Sequence, residues 1–206
     1  NRSPHAWYNF GMTDVKLGQT SPIIVDSAMT LDQALAQNPE FPCPPEILEA
    51  QRLIPVRYFS FDSRLHLGQI VINEELVEEV SALFNLILKI RFPLTSVIPV
   101  VDSRFHWDDI LSMEADNSSG FNYRRVVNKD RLSRHAYGYA IDIGPRQNPY
   151  YPEGMPVLPS GAVYDPLAPG TFLPRSEIVR FMKARGWNWR GESEERDYHH
   201  FDKPIK

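Results

Sequence analysis

Residues 54–73, IPVRYFSFDSRLHLGQIVIN, hold two runs rich in β-branched and aromatic side chains, 54–62 and 68–73, around a polar centre at 63–67. They read as two strands joined by a turn. A helix follows. Asn73 is placed to cap it, and Glu74 and Glu75 suit the positive end of its dipole. Val77, Val80, Leu83, Phe84, Ile87 and Leu88 recur at spacings of three and four, which gives one buried stripe. Pro93 ends this helix, and residues 94–101, LTSVIPVV, read as a further strand. Strands and helices are segregated along the chain rather than alternating. The pattern predicts an α+β fold with a mainly antiparallel central sheet and flanking helices.

Outward from this centre the sequence is less regular. Residues 1–29 mix aromatics, Gly and Pro without a period, and residues 1–50 together read as an irregular N-terminal wrap. Within it, Thr30 and Gln33 form a capping-box pattern for a short helix, and PEFPCPP at 39–45 breaks the chain. Residues 102–131 are polar and read as loop. GYAIDI at 138–143 is a short strand. A second helix is expected from Ser176, with Ile178, Phe181 and Met182 inward and a stop at Gly186. WNW at 187–189 and YHHF at 198–201 complete the strands. Residues 145–174 contain eight of the 18 prolines; so long an irregular segment is of the functional or mobile kind.

At 206 residues the chain suits one domain, 1–206, with a sizeable core. A net charge of -4 argues against a nucleic-acid partner, which calls for a basic face. No run of 18 apolar residues is present to span a bilayer. Cys43 is the single cysteine, so neither an intrachain disulfide nor a thiolate zinc cluster is expected, and between Pro42 and Pro44 it reads as a loop residue. The chain opens at Asn1 with no methionine or apolar leader, which reads as a mature or trimmed chain whose signal segment is not visible. The sequence does not set an oligomeric state.

Chemistry concentrates in two stretches. In LSRHAYGYAID, 132–142, His135 precedes Asp142 by seven positions, with Gly138 to turn the loop back and Ala140 to leave room on the approach side. Taken alone the pair reads by default as a surface hydrogen bond. A catalytic zinc, however, commonly takes three protein ligands and leaves the fourth position to water. The other source of donors is DYHHF, 197–201. Of the remaining histidines, His5 reads as solvated, and His66 in the hairpin turn and His106 beside Asp108 and Asp109 read as structural.

Together the two stretches resemble the zinc D-alanyl-D-alanine carboxypeptidases and L-alanyl-D-glutamate endopeptidases of bacterial cell walls, in the wider group that includes lysostaphin-type peptidases and the hedgehog signalling domain. The family motif Ser-x-His-x-x-Gly-x-Ala-x-Asp is matched at Ser133, His135, Gly138, Ala140 and Asp142. Its second motif, an acid three residues before a His-Phe pair, is matched at Asp197, His200 and Phe201. SGFNYRR at 119–125 resembles the segment in which an arginine faces the substrate, here Arg124. HLGQIVIN, which contains Gln69, resembles the lead-in, and the likeness covers residues 54–204.

The resemblance implies one Zn2+ per chain held by His135, Asp142 and His200, with Asp197 as the base and Arg124 on the substrate. Ser133, His199, Tyr137 and Gln69 are implied as supporting or substrate contacts. The choice of His200 over His199 stays open on strand geometry, because residues 197 and 200 do not share a face of a regular strand. Relatives often carry Glu where Asp197 stands, and Glu195 is a fallback base. Tyr123, Tyr137 and Tyr139 read equally as core or as cleft wall. The implied activity is hydrolysis of peptidoglycan stem peptides in the periplasm or outside the cell; the alternative is a non-catalytic zinc-containing peptide- or cell-wall-binding module.

Overall fold

The computed structural model describes residues 22–126, 129–194 and 196–205. His5, the irregular reading of residues 1–21, and Glu195 lie outside the described residues. The first strand, β1 (Ile24–Val25), is followed by two short helices, α1 (Leu31–Ala34) and α2 (Pro45–Glu49). The capping box at α1 forms as read: Thr30 Oγ1 accepts from Gln33 N at 3.2 Å, and Gln33 Oε1 accepts from Thr30 N at 2.8 Å.

β2 (Gln51–Phe59) and β3 (Leu65–Asn73) make the hairpin, in antiparallel register from Gln51↔Asn73 to Phe59↔Leu65. Its turn is shorter than the sequence suggests, because Ser60 N donates to Arg64 O at 3.1 Å and Ser63 adopts a φ of 62°. His66 is therefore a buried residue of β3 rather than a turn residue. Its Nδ1 lies 2.8 Å from Asp26 Oδ2, to which Tyr58 also donates its hydroxyl. This network ties β1, parallel to β3, onto the hairpin.

The helix after Asn73 opens with a 3-10 turn, Glu74–Leu76, and continues as α3 (Val77–Lys89). Asn73 Oδ1 caps the turn, accepting from Glu75 N at 3.1 Å. The strand expected over 94–101 shrinks to β4 (Ser96–Val97), since Pro99 has no N–H to extend a ladder. The polar stretch read as loop contains α4 (Asp109–Glu114), capped by Asp108, and β5 (Asn117–Ser118). After these come β6 (Ala140–Asp142), α5 (Glu177–Lys183), β7 (Asn188–Trp189) and β8 (His200–Asp202).

The α+β class holds, but a single central sheet does not form. The strands make three small sheets, β1-β3-β2, β4-β5 and β6-β8-β7. Two of them contain a parallel pair, and parallel pairs join segments far apart in the chain, which local patterning does not reveal. One core nevertheless links the sheets. Val80, Leu83, Phe84 and Ile87 of α3 and Ile178, Val179 and Met182 of α5 pack with Val56, Ile70 and Ile72 of the hairpin. Phe181, expected inward, packs at the edge of this core. Ile141 and Phe201 join the same cluster, each contributing roughly 1.5–3 kcal/mol by burial. They fix β6 and β8 against the hairpin and its helices.

Candidate metal centre and active-site cavity

Strand alternation builds the centre. In the antiparallel register, Ile141 pairs with Phe201 and both point into the core, so their neighbours Asp142 and His200, also partners, point to the other face. Asp142 Oδ1 lies 2.8 Å from His200 Nδ1. The third donor arrives from the 3-10 turn Arg134–Tyr137, where Ser133 Oγ accepts from His135 N at 3.3 Å and Gly138, at φ 70°, closes the turn. That turn is bolted to the open end of the hairpin. Gln51 Nε2 and Asn73 Nδ2 both donate to Tyr137 O, and Asn73 N donates to Gly138 O. A Cβ on Gly138 would meet Gln51 Oε1 at 2.2 Å and Asn73 N at 2.5 Å, so the close approach requires glycine.

His135 Nε2 lies 3.0 Å from Asp142 Oδ2 and 3.2 Å from His200 Nδ1. These three residues are the group among the described residues whose ligand atoms all converge within 4.8 Å. Their other ring nitrogens are also directed. His135 Nδ1 donates to Gly120 O at 2.6 Å, which leaves Nε2 with its lone pair toward the cluster, and His200 Nε2 faces Asp202 Oδ2 at 3.7 Å. Donors on a tetrahedral zinc, at ~2.0–2.2 Å from the ion, sit roughly 3.3–3.6 Å from one another. The observed separations are a few tenths of an ångström shorter, and two imidazole nitrogens with one carboxylate are a suitable zinc set. The residues fit the ion.

Electrostatics follow the same arrangement. Burial opposes charge on Asp142, but the imidazoles of His135, His199 and His200 outweigh it and hold the carboxyl well below its ordinary range. Burial alone would lower His200; Asp142, Asp202 and Asp197 instead push it up to about 10. Asp197 goes the other way. Its burial raises the carboxyl above the usual value despite the nearby imidazoles.

Asp197 does not lie in the strand with His200. It forms an isolated bridge with Tyr150, and Tyr198 and His199 turn the chain so that His200 N approaches Asp197 O at 3.4 Å before β8 begins. This removes the face problem posed by a three-residue spacing. Asp197 Oδ1 lies 3.2 Å from His199 Nε2, within ion-pair range but off hydrogen-bonding geometry, and it has no hydrogen-bond partner among the described residues. His199 Nδ1 donates to Asn148 O at 2.9 Å. Its Nε2 is 3.9 Å from Asp142 Oδ1, farther than either ring of the converging triad.

A cavity of about 470 Å³ opens over this cluster, lined by Arg124, Ser133, Asp142, Asp197, His199 and His200 among others. Arg124 is on its wall, with Nη2 paired to Asp109 Oδ2 at 2.7 Å. Tyr150 and Leu158 bring the Pro-rich segment to the wall. Gln69 and the three tyrosines read as core or cleft wall lie outside this lining. Gln69 is spent on the N-terminal segment, accepting from Ser27 Oγ and Met29 N at 2.7 Å each. Tyr137 contributes its carbonyl to the hairpin and its ring to the core edge. Tyr139 is buried and donates to Glu75, and Tyr123 stacks on Phe41 at 5.0 Å. His106 is exposed and His66 buried in its own network.

Three supporting residues escape the sequence reading. Gly120 supplies the carbonyl that orients His135, and a Cβ there would strike Val71 O at 2.2 Å. Asn148, fully buried, donates to Gly144 O and Gly170 O and accepts from Phe172 N, so it knits the Pro-rich segment while its own carbonyl aims His199. Asp202 sits below His200 and is paired with Arg190. The period-two pattern of HFD was the available signal for Asp202; nothing local marks the other two.

Residues 127–203 match the family model for D-alanyl-D-alanine carboxypeptidase. That stretch, somewhat over a third of the chain, includes His135, Asp142, Asp197 and His200, and the match supports the likeness to the zinc D-Ala-D-Ala peptidases. That family model describes peptidases, and the match supports a peptidase. No curated protein and no solved structure gives a match. Among the described residues no helix is long and apolar enough to cross a membrane.

Proposed function

We propose that this chain is a zinc-dependent peptidase of the cell envelope that hydrolyses peptide bonds in peptidoglycan stem peptides, as a D-Ala-D-Ala carboxypeptidase or an L-Ala–D-Glu endopeptidase. The observation that carries the reading is convergence: His135 and Asp142, inside the matched segment, meet His200 from the far end of that segment, beside a buried carboxyl oxygen of Asp197 that lacks a hydrogen-bond partner among the described residues.

His135 Nε2, the Asp142 carboxylate and His200 Nδ1 would hold one zinc ion, which lowers the pKa of a bound water towards ~7 and polarises the scissile carbonyl. Asp197 Oδ1 accepts the proton from the attacking water and delivers it to the leaving amine. Its raised pKa suits a group that must hold and release that proton. His199 Nε2, fixed by the Asn148 carbonyl, keeps the Asp197 carboxyl in place. Arg124, held by Asp109, presents its remaining guanidinium donors to the substrate's carbonyl oxygen or carboxylate. Ser133 orients the ligand turn, its hydroxyl oxygen accepting from His135 N.

The test is zinc reconstitution followed by incubation with purified peptidoglycan, with products read by mass spectrometry. The reading expects about one zinc per chain, release of D-Ala or of stem fragments, and loss of release on chelation. Zinc binding without any cleavage would point to the binding module instead, and failure to bind zinc would contradict both.

A further inference from the structure

Cations and acids are balanced in number around the cavity, but two of its arginines take no part in the ion pairs among the described residues. Five cationic side chains line it: Arg124, Lys129, Arg131, Arg134 and Arg190. Arg124 is paired with Asp109, and Arg190 with Asp202. Arg131 and Arg134, in contrast, have no ion pair and no side-chain hydrogen bond among the described residues. Of the lining acids, Asp142 and Asp197 face the imidazoles, and Glu194 is exposed on the 190–194 segment. None of these is shared with Arg131 or Arg134.

Backbone hydrogen bonds fix the main chain at both arginines. Ser133 N donates to Arg124 O at 3.0 Å and Val126 N to Arg131 O at 2.9 Å, so a short ribbon carries Arg131 to the cavity edge and runs directly into the turn that presents His135. Arg134 is the first residue of that turn, half-buried and next to the metal-facing histidine. Arg134, half-buried and without a counter-charge among the described residues, is a ready fork for a carboxylate, which accepts two parallel N–H donors in its plane, and the exposed Arg131 lines the same cavity.

We infer that Arg131 and Arg134 form a carboxylate-recognition site that makes this cavity selective for anionic peptides. The inference rests on the peptidase reading for its substrate class, and extends it by naming the group recognised and the residues that recognise it. Two carboxylates of a stem peptide have the required chemistry, the C-terminal one and the free carboxylate of D-Glu. The experiment separates them.

Binding of the peptide L-Ala–γ-D-Glu–L-Lys–D-Ala–D-Ala is measured by calorimetry on the zinc-loaded full chain carrying Asp197→Ala, in three forms: unmodified, C-terminal amide, and D-Glu carboxamide. Cleavage of the same three forms is followed on the wild type. One of the two amidations is expected to weaken binding about tenfold or more, as loss of a charge-assisted pair does. Which one identifies the carboxylate. Arg131→Gln and Arg134→Gln should each shrink that discrimination, and Arg134→Lys should restore part of it. Arg131 is exposed, so its replacement reports on the site even if Arg134→Gln impairs folding. The inference is overturned if both amides bind like the parent, if none of the three forms binds, or if discrimination survives in the double variant. Equal cleavage of all three forms would keep the peptidase reading and sink the carboxylate site. Arginine-dependent discrimination without cleavage would do the reverse.

Discussion

Asp142 and His200 are register partners across β6 and β8, and their facing atoms, Oδ1 and Nδ1, stand 2.8 Å apart. The contact joins two motifs separated by 58 positions in the chain. Because Ile141 and Phe201, the pair next to it, are buried in the main core, the geometry of this pair is inherited from hydrophobic packing rather than from a flexible loop.

The two adjacent histidines should therefore separate cleanly by mutation. His200→Ala is expected to abolish stoichiometric zinc binding, as are His135→Ala and Asp142→Ala. His199→Ala should keep zinc and lose turnover, since it touches Asp197 and the Asn148 carbonyl rather than the centre of the triad. Metal analysis on the folded variants reads the difference. Zinc retained in His200→Ala and lost in His199→Ala would reverse the register.

Gly138→Ala tests the turn that delivers His135. The left-handed backbone there and contacts of 2.2 and 2.5 Å for a new Cβ predict destabilisation of at least ~1–2 kcal/mol. Urea denaturation should show a lower midpoint with an unchanged slope, together with weaker zinc binding. Wild-type stability in this variant would mean that the turn is not held against Gln51 and Asn73.

Asp202 supplies a pH signature. Burial raises its carboxyl, but His200, Asn188 and Arg190 more than offset this and leave it well below the ordinary value. A carboxyl depressed in the folded state binds fewer protons there than in the unfolded chain. Its stabilisation is thus present above the unfolded value of ~3.9 and is lost as pH falls through the folded one. Metal-free wild type and Asp202→Asn should differ in unfolding free energy near neutrality and converge in acid. A gap that stays constant down to the acid limit would refute the assignment.

Cys43 should be chemically silent. Burial, aided by the neighbouring Glu46 charge, pushes its thiol up to about 11. At pH 8 roughly 0.1% is thiolate, so iodoacetamide should label the native chain ~100-fold more slowly than the unfolded one. Equal labelling rates would show that the 39–45 segment opens readily.

The legible parts of the fold are those encoded over a few residues. The Thr30–Gln33 cap and the Asn73 cap appear where their spacings place them, and so does the stripe of α3 at Val80, Leu83, Phe84 and Ile87 with Val77 at its edge, although Leu86 rather than Leu88 packs beside it. The three converging side chains, His135, Asp142 and His200, and the nearby Asp197 sit in two short motifs that local sequence displays. What the sequence concealed depends on distant chain. The parallel pairing of Ile24 with His66, the Gly120 carbonyl against His135 and the staple at Asn148 each join segments that no local period connects. Gln69 failed for the same reason: its partners, Ser27 and Met29, come from a segment without pattern.

The central claim is that Asp197 moves the proton at a zinc centre it does not help to hold. The most direct measurement is stem-peptide turnover, with zinc content determined on the same preparations, for wild type and Asp197→Ala. The account predicts equal zinc in both and a rate reduced by about 10²–10⁴-fold in the variant. Unchanged turnover in zinc-loaded Asp197→Ala, or loss of its zinc, would contradict it.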